Sequence, residues 1–233
     1  MGAMELYFIR HAQPAWVRDG RSIMDPGLTE LGHRQAELLA EVFANICDDG
    51  RYPTELLVSP TQRTRETAAP LAAKLGLTPE VIPFFEEVRL PDWSNTPVAE
   101  VARVIRQSRQ RSYSEWWDGL PGGEDLRAFR DRLTGGLREL MSARSARLVD
   151  AEGALWHLDR PEQRLIFIGH GGSNAVALTS LLGLPPVPWE WERFAARHAS
   201  ITFLKTRRIA GSAIFSLRQF SSVGHLGAEL HTH

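Results

Sequence analysis

The segment Tyr7-Phe8-Ile9-Arg10-His11-Ala12-Gln13-Pro14 decides the fold of this chain. Its first three residues are bulky apolar types that form buried strands, and the run stops abruptly at an arginine and a histidine. Turn-prone residues follow. Open α/β sheets bind their ligands outside the carboxyl ends of their strands. The pattern therefore predicts that Arg10 and His11 lie in a ligand site at one edge of a sheet.

Two later segments repeat this arrangement of an apolar run, a polar cluster and the start of a helix. The first, Ser59-Pro60-Thr61-Gln62-Arg63-Thr64-Arg65-Glu66-Thr67, follows the strand-like run Glu55-Leu56-Leu57-Val58. The second, Ile166-Phe167-Ile168-Gly169-His170-Gly171-Gly172-Ser173, contains both its apolar run and its polar cluster. An isolated Arg-His pair carries almost no information, whereas three such segments in order are specific to one kind of site.

The spacing of apolar residues predicts helices between these strands. Thr29 is a suitable N-cap for a helix whose apolar positions recur every three or four residues up to Ile46. Ser59 is expected to cap a second helix, which Pro60 opens and Pro70 bends or ends. Further helices are predicted over 126–140 and 173–182, and further strands over 80–83, 165–168, 200–205 and 213–220.

Strands that alternate with helices indicate an α/β fold, here a three-layer arrangement with a mostly parallel central sheet and helices on both faces. Because no internal repeat or linker is evident, residues 1–233 are expected to form one domain. The segment 89–120 departs from the alternation, since a loop rich in proline and tryptophan precedes a weak helical pattern. We interpret it as a helical cap inserted over the site. The polar segment 150–163 is expected to be a loop.

The composition argues against several classes of function. The chain has 233 residues, of which 43% are hydrophobic, and a formal net charge of −1, unlike a general nucleic-acid or membrane-surface binder. A single cysteine, Cys47, excludes an internal disulfide and fits a reducing compartment. No apolar run approaches the roughly 18 residues of a membrane span, and the N-terminus lacks a secretory signal pattern. We expect a cytoplasmic protein; the sequence leaves open whether it forms a homodimer.

The three segments resemble the signature motifs of the histidine phosphatase superfamily, the phosphoglycerate-mutase-like clan. The family motif Arg-His-Gly is matched by Arg10-His11-Ala12, Ser-Pro-Leu-x-Arg-Ala-x-x-Thr by Ser59 to Thr67, and Ser-His-Gly-Gly by Gly169-His170-Gly171-Gly172. Weaker matches, such as Pro121-Gly122-Gly123-Glu124, extend the resemblance over most of the chain. It implies a phosphoglycerate-mutase-like fold and phosphoryl transfer through a phosphohistidine.

The residue types themselves suit a phosphate site. Arg10 and Arg63 carry planar guanidinium groups that match two phosphate oxygens at a time, and the helix start at Gly171 offers backbone N–H groups. His11 is a suitable nucleophile if the flanking arginines keep it neutral, and it matches the histidine that the family phosphorylates. His170 matches the second histidine of the family's pocket, which donates to the phosphoryl oxygens.

A general acid is also needed, because the leaving oxygen must take up a proton. The family's acid is a glutamate six residues before a tryptophan, which indicates Glu87 ahead of Trp93, with Glu86 as the alternative. Its surroundings would have to raise its pKa, or the enzyme would have to work at acidic pH. Neither a His-x-x-x-His pattern nor a cysteine pair occurs, so we expect no metal and no other cofactor.

Two departures from the family bear on the substrate. Ala12 replaces a glycine and therefore requires a backbone conformation open to L-residues. Val17 stands where the mutases have asparagine, which removes a polar contact to the substrate. We therefore expect a phosphomonoesterase that hydrolyses a small phosphorylated metabolite. The alternatives are a cofactor-dependent phosphoglycerate mutase, which returns the phosphoryl group to a sugar-acid hydroxyl, and a non-catalytic phospholigand-binding member of the fold.

Overall fold

An eight-stranded sheet forms the centre of the computed structural model, which describes residues 2–233. The strands are β1 Met4–Arg10, β2 Val17–Arg18, β3 Arg21–Ser22, β4 Thr54–Val58, β5 Glu80–Val81, β6 Ala146–Asp150, β7 Leu155–Leu158, β8 Gln163–Gly169, β9 Ile201–Ile209 and β10 Ser212–Ser222. The helices are α1 Glu30–Cys47, α2 Gln62–Leu75, α3 Val98–Ser108, α4 Tyr113–Trp117, α5 Leu126–Ala143, α6 Gly171–Leu181 and α7 Glu190–Arg193. Strands β2 and β3 form a separate ribbon.

The alternation of side chains along β1 explains the three layers. Met4, Leu6 and Phe8 belong to a core that also contains the apolar faces of α5 and α6. Tyr7 and Ile9 point to the opposite face of the sheet, into a second core shared with α1 and α2. Helices therefore cover both faces, and the predicted three-layer α/β fold is confirmed.

The sheet is mixed, with the strand order β5-β4-β8-β1-β9-β10-β7-β6. Its first four strands are parallel, as predicted, whereas each later pairing is antiparallel. The expectation of a mostly parallel sheet therefore holds for one half only. For β9 and β10 the reason lies in their connection: Ala210 and Gly211, both with positive φ, join the two strands directly, and a turn that short permits only antiparallel pairing.

The predicted loop over 150–163 contains a strand. Strand β7 pairs there with β6, which ends at Asp150, to form a hairpin at the edge of the sheet. Trp156 is the buried residue of β7, while its neighbour His157 is exposed. A strand of four residues with one buried side chain carries little of the apolar alternation by which strands are recognised, so the sequence pattern missed it.

Helix α2 begins later and runs further than predicted. Its N-cap is Thr61 rather than Ser59, and the helix continues through Pro70 to Leu75. Proline removes one backbone hydrogen bond, but Ala68 and Leu71 on either side of it are buried in the core shared with α1, and this packing keeps the helix intact. None of the helices in residues 2–233 is long and apolar enough to cross a membrane.

Candidate active site

The three sequence segments meet at the carboxyl ends of β1 and β8. The backbone N–H of His11 donates to the carbonyl of Gly169 at 2.9 Å, which continues the parallel pairing of the two strands past their ends. The rings of His11 and His170 are 5.2 Å apart between centroids. Both histidines line a cavity of about 1110 Å³, together with Arg10, Arg63 and Glu87. The structure thus brings together the side chains that the sequence singled out.

The ring of His11 is buried and held in one tautomer. Its Nδ1 lies 2.8 Å from the carbonyl oxygen of Ala12, which can only accept, so Nδ1 carries the proton and Nε2 has a free lone pair. Burial first, and then the neighbouring His170, Arg63 and Arg10, lowers the pKa of His11 well below its usual value. The imidazole is therefore neutral and has its nucleophilic nitrogen available.

Two guanidinium groups flank this ring. Arg10 donates to the carbonyl oxygen of Ala196 at 2.6 Å, and Arg63 contacts a carboxylate oxygen of Asp25 at 3.3 Å. In each arginine the Nε is buried without an acceptor among residues 2–233. Buried donors without partners are rare, because leaving one unmade is costly. Two of them beside a neutral histidine suit an anion with several acceptor oxygens.

His170 links Arg63 to Ser59. Arg63 donates to Nδ1 of His170 at 3.2 Å, and Nε2 of the same ring lies 2.7 Å from the hydroxyl oxygen of Ser59. Because a guanidinium only donates, Nδ1 is the acceptor here and Nε2 carries the proton. Burial first, then Arg63 and Arg10, lowers the pKa of His170 well below its usual value. Ser59, expected to cap a helix, instead orients this ring.

The threonines of the second segment connect it to the first. Thr67 donates to the carbonyl of Arg63 at 2.7 Å and accepts from the backbone N–H of Ala12 at 3.0 Å. Thr64 donates to the carbonyl of Ser59 at 2.7 Å. Ala12 is fully buried and is not among the residues with positive φ, so an alanine fits at this position. These bonds fix the distance between the two arginine-bearing segments.

Glu87 and Glu86 have different environments. Glu87 accepts from the backbone N–H of Gly172 at 2.8 Å and from that of Val88 at 3.0 Å. Burial raises the pKa of Glu87, against the lowering effect of these two bonds and of Arg63 and Arg10. Glu86 instead forms an ion pair with Arg89 at 3.0 Å. A carboxyl group with a raised pKa can hold a proton and donate it, so the surroundings of Glu87 suit a general acid.

Gly172 is required by the position of Glu87. A Cβ atom built on Gly172 would lie 2.3 Å from a carboxylate oxygen of Glu87, a distance that real Cβ contacts do not show. The first residue of α6, Gly171, was expected to bind phosphate through its backbone, and it lines the cavity beside Arg10. The two glycines thus serve different purposes: one gives space to the carboxyl group and the other opens the helix N-terminus to the cavity.

A third histidine lies at the site, and no sequence motif predicted it. His198 is buried with its ring centroid 5.5 Å from that of His11, and its Nδ1 lies 2.9 Å from the hydroxyl oxygen of Thr232. Burial, then Arg10 and His233, lowers the pKa of His198 to about 3. The side chain of Gln35 ties Thr232 to the backbone N–H of Gln13. His198 precedes β9, which pairs antiparallel with β1, so no strand-to-helix motif marked it.

Residues 2–233 contain no group of three or more histidine, cysteine, aspartate or glutamate side chains arranged to hold a metal ion. The histidines at the site are therefore not grouped with a carboxylate or thiolate in the way that metal ligands are. Their ring nitrogens contact instead a backbone carbonyl, a guanidinium group and two hydroxyl groups. These partners suit proton placement and anion binding.

Comparisons with known proteins agree with this geometry. The model of the histidine phosphatase superfamily (branch 1) matches residues 6–213. The glucosyl-3-phosphoglycerate phosphatase of Mycobacterium tuberculosis is 28% identical over 99% of this chain and 98% of that protein. A probable phosphoglycerate mutase of Yersinia pestis is 24% identical over 78% of this chain and 76% of that protein. A solved structure of mycobacterial glucosyl-3-phosphoglycerate phosphatase has a TM-score of 0.69 and 25% identity, and the match covers 94% of this chain and 99% of that one.

Proposed function

Since the chain belongs to the histidine phosphatase superfamily (branch 1) and is an enzyme of phosphoryl transfer, we propose that it hydrolyses a small phosphate monoester through a phosphohistidine at His11. The observation that carries the proposal is the pair of buried guanidinium groups, Arg10 and Arg63, beside a neutral imidazole with a free Nε2. The groups needed to bind a phosphoryl group, attack it and protonate its leaving oxygen line one cavity.

In the first step, Nε2 of His11 attacks phosphorus in line with the ester oxygen. The new P–N bond forms as the P–O bond to the leaving group breaks, and the leaving oxygen takes the proton of Glu87. Arg10 and Arg63 neutralise the charge spread over the non-bridging oxygens. The carbonyl of Ala12 stabilises the positive charge that develops on the ring, because it accepts a hydrogen bond from Nδ1–H.

His170 becomes a donor to the phosphoryl group by a change of tautomer. When Arg63 turns its guanidinium to the phosphate, Nδ1 of His170 loses its donor, and the hydroxyl of Ser59 can donate to Nε2 instead. The proton then resides on Nδ1, where it faces the phosphoryl oxygens. Ser59 is a positioning residue in this scheme, since it acts on the reaction only through the ring of His170.

In the second step, water attacks the phosphohistidine. Glu87, now a carboxylate, takes a proton from the water, the new P–O bond forms and the P–N bond breaks. Inorganic phosphate leaves, His11 regains its neutral form, and Glu87 regains the proton that it donated. The raised pKa of Glu87 suits both directions of this transfer.

Hydrolysis is favoured over the mutase reaction by similarity and by one residue. The relative that matches nearly the full length of the chain carries a phosphatase name, and its substrate name makes a phosphorylated sugar acid one candidate here. Val17, half exposed in the cavity, offers no polar contact to a phosphoglycerate. We propose in addition that residues 89–120 form a cap over the site, and that the enzyme is cytoplasmic, in keeping with its one unpaired cysteine.

The proposal is tested by mixing the wild-type enzyme with a ³²P-labelled monoester and quenching the reaction rapidly without acid. We expect acid-labile, base-stable label on the wild type, and none on His11→Ala, whose turnover falls by at least about 10⁴-fold because the nucleophile is lost. Transfer of label to glycerate rather than water would identify a mutase. Phosphate binding without label or turnover would identify a non-catalytic phospholigand-binding protein.

A further inference from the structure

The cavity extends far beyond the phosphate site. Its volume of about 1110 Å³ reaches the upper end of the range for pockets that hold drug-sized ligands, about 300–1,000 Å³. Arg10, His11 and Arg63 occupy one part of it, and residues of the segment 89–120 line another. The part of the substrate that leaves with the ester oxygen must therefore be in contact with the second region.

One wall of this second region is the apolar face of α3. Val98, Val101 and Ile105 follow the spacing of a single helical face, and all three line the cavity. No residue of this 11-residue helix is buried by the protein, and Val98 and Ile105 keep 36% and 41% of their surface exposed. An amphipathic helix normally buries its apolar face in a core. Here that face is turned into the cavity.

Other apolar side chains continue this wall. Leu90 is 42% exposed, and it lines the same cavity as Trp93, which lies three residues further along the chain. Contiguous exposed apolar surface inside a concave site marks a ligand-binding region, because water in contact with it is released when a ligand binds. The continuity of this surface with the phosphate site indicates that its occupant is the substrate itself.

The charged residues of this wall are already paired with protein groups. Arg89 forms an ion pair with Glu86 at 3.0 Å, and Arg109 forms one with Glu192 at 2.8 Å. Arg111 donates to the backbone carbonyls of Gly119 and Glu115. A second anionic group on the substrate, such as a carboxylate, would meet Arg89 and Arg109 with their charge already compensated by a neighbouring carboxylate. An apolar group displaces only water.

We infer that the preferred substrate is a phosphate monoester of an extended apolar alcohol, whose alkyl or aryl chain lies against Val98, Val101 and Ile105. This inference rests on the proposed phosphomonoesterase activity and narrows it to one class of leaving group. The phosphate is recognised by the two arginines, whatever the alcohol. The alcohol is selected by the area of apolar surface that it buries against α3.

A series of n-alkyl phosphates from butyl to octyl, kept below their micellar concentrations, tests the inference by phosphate release. We expect kcat/KM to rise about threefold for each added methylene that contacts the wall. Octyl phosphate should exceed glucose 6-phosphate and 3-phosphoglycerate by at least about tenfold. A flat series, or a preference for either polar ester, would overturn the inference.

A matched pair of variants locates the effect. Val101→Ser changes a residue that lines the cavity, and Val104→Ser makes the same change three residues further along α3, at a residue that does not. We expect Val101→Ser to reduce kcat/KM for octyl phosphate by about three- to tenfold, with inhibition by inorganic phosphate unchanged. Val104→Ser should retain the full chain-length dependence. Equal effects of the two variants would show that α3 acts through its stability rather than through contact.

Two further measurements separate this inference from the proposed function. Turnover of p-nitrophenyl phosphate combined with a flat alkyl series would refute the apolar substrate and retain the phosphatase. Calorimetric titration of His11→Ala with octyl and butyl phosphate needs no turnover. Tighter binding of the octyl ester, by at least about tenfold, is expected even if His11 is not the nucleophile, and equal binding would refute the inference.

Discussion

The two ends of the cavity differ in the polarity and in the burial of the side chains that line them. The end at the strand termini consists of buried charged and polar groups whose partners are other side chains or backbone atoms, as in the links from Arg63 to His170 and from His170 to Ser59. The end at α3 consists of apolar side chains that have few partners and stay partly exposed. At the first end each hydrogen bond restrains the next, whereas the apolar side chains of the second end make no directional contacts.

This difference separates chemistry from selectivity. Charges that develop in a transition state are stabilised by donors fixed in advance, so the polar end must be identical for every substrate. Apolar contact depends on area rather than direction, so the end at α3 can accept one group or another without a change in the reaction.

The largest effect that tests this division is expected from Arg63→Ala. Removing this charged donor should lower kcat/KM by about 10³-fold and weaken binding of inorganic phosphate as well, because in the proposed mechanism Arg63 contacts the phosphate in both the ground and the transition state. The loss should be the same for butyl and octyl phosphate. The control is Arg65→Ala on the same helix, an exposed residue that should retain full activity. A loss that depends on chain length would break the separation.

Glu87→Gln should have the next largest effect and should depend on the leaving group. The amide still accepts from Gly172 but has no proton to give, so kcat for an alkyl phosphate should fall by about 10²- to 10³-fold. For p-nitrophenyl phosphate the loss should stay below about tenfold, because nitrophenolate leaves without a proton. Phosphate binding should change little.

The pH dependence provides a second measurement on Glu87. In the proposed mechanism its protonated form is the donor, and burial raises its pKa, so activity on alkyl phosphates should fall as the pH rises through that raised pKa. The alkaline limb should be absent from Glu87→Gln and present in Glu86→Gln. If Glu87→Gln loses the same share of its activity on alkyl phosphates and on p-nitrophenyl phosphate, proton donation is not the role of Glu87. Glu86 would then be tested next.

The smallest effect concerns stability. The pKa of His198 is about 3 in the folded protein and about 6.5 in an unfolded chain, so between these values the unfolded state binds one more proton. The free energy of unfolding should therefore fall by about 1.4 kcal/mol per pH unit on acidification from this residue alone. When the free energy of unfolding is measured with urea between pH 6.5 and 4.5, His198→Asn should remove this contribution to its pH dependence. Thr232→Val is the control, since it removes the hydrogen bond but leaves His198 able to titrate. Equal slopes for His198→Asn and the wild type would contradict the assignment.

Local sequence patterns were sufficient to predict the half of the fold that contains the candidate site. The run Tyr7-Phe8-Ile9 before Arg10 and His11 predicted a buried strand that ends at a ligand site, and β1 ends at Arg10. The first long helix was predicted with its N-cap, because Thr29 and the apolar repeat are local signals that tertiary packing did not override. These predictions depend on the side chains of neighbouring residues, which the sequence displays directly.

The remaining features depend on atoms that are far apart in the chain. Ser59 has the composition of an N-cap, yet it contacts His170 because β4 and β8 are neighbours in the sheet. No local motif distinguishes His198, which lies beside His11 because β9 pairs antiparallel with β1. Glu87 differs from Glu86 only in what surrounds it. The composition and local order of the sequence determined which residues could take part in the reaction. The tertiary structure decided the tautomer, the pKa and the hydrogen-bond partner of each residue, because burial and hydrogen bonding depend on the folded surroundings.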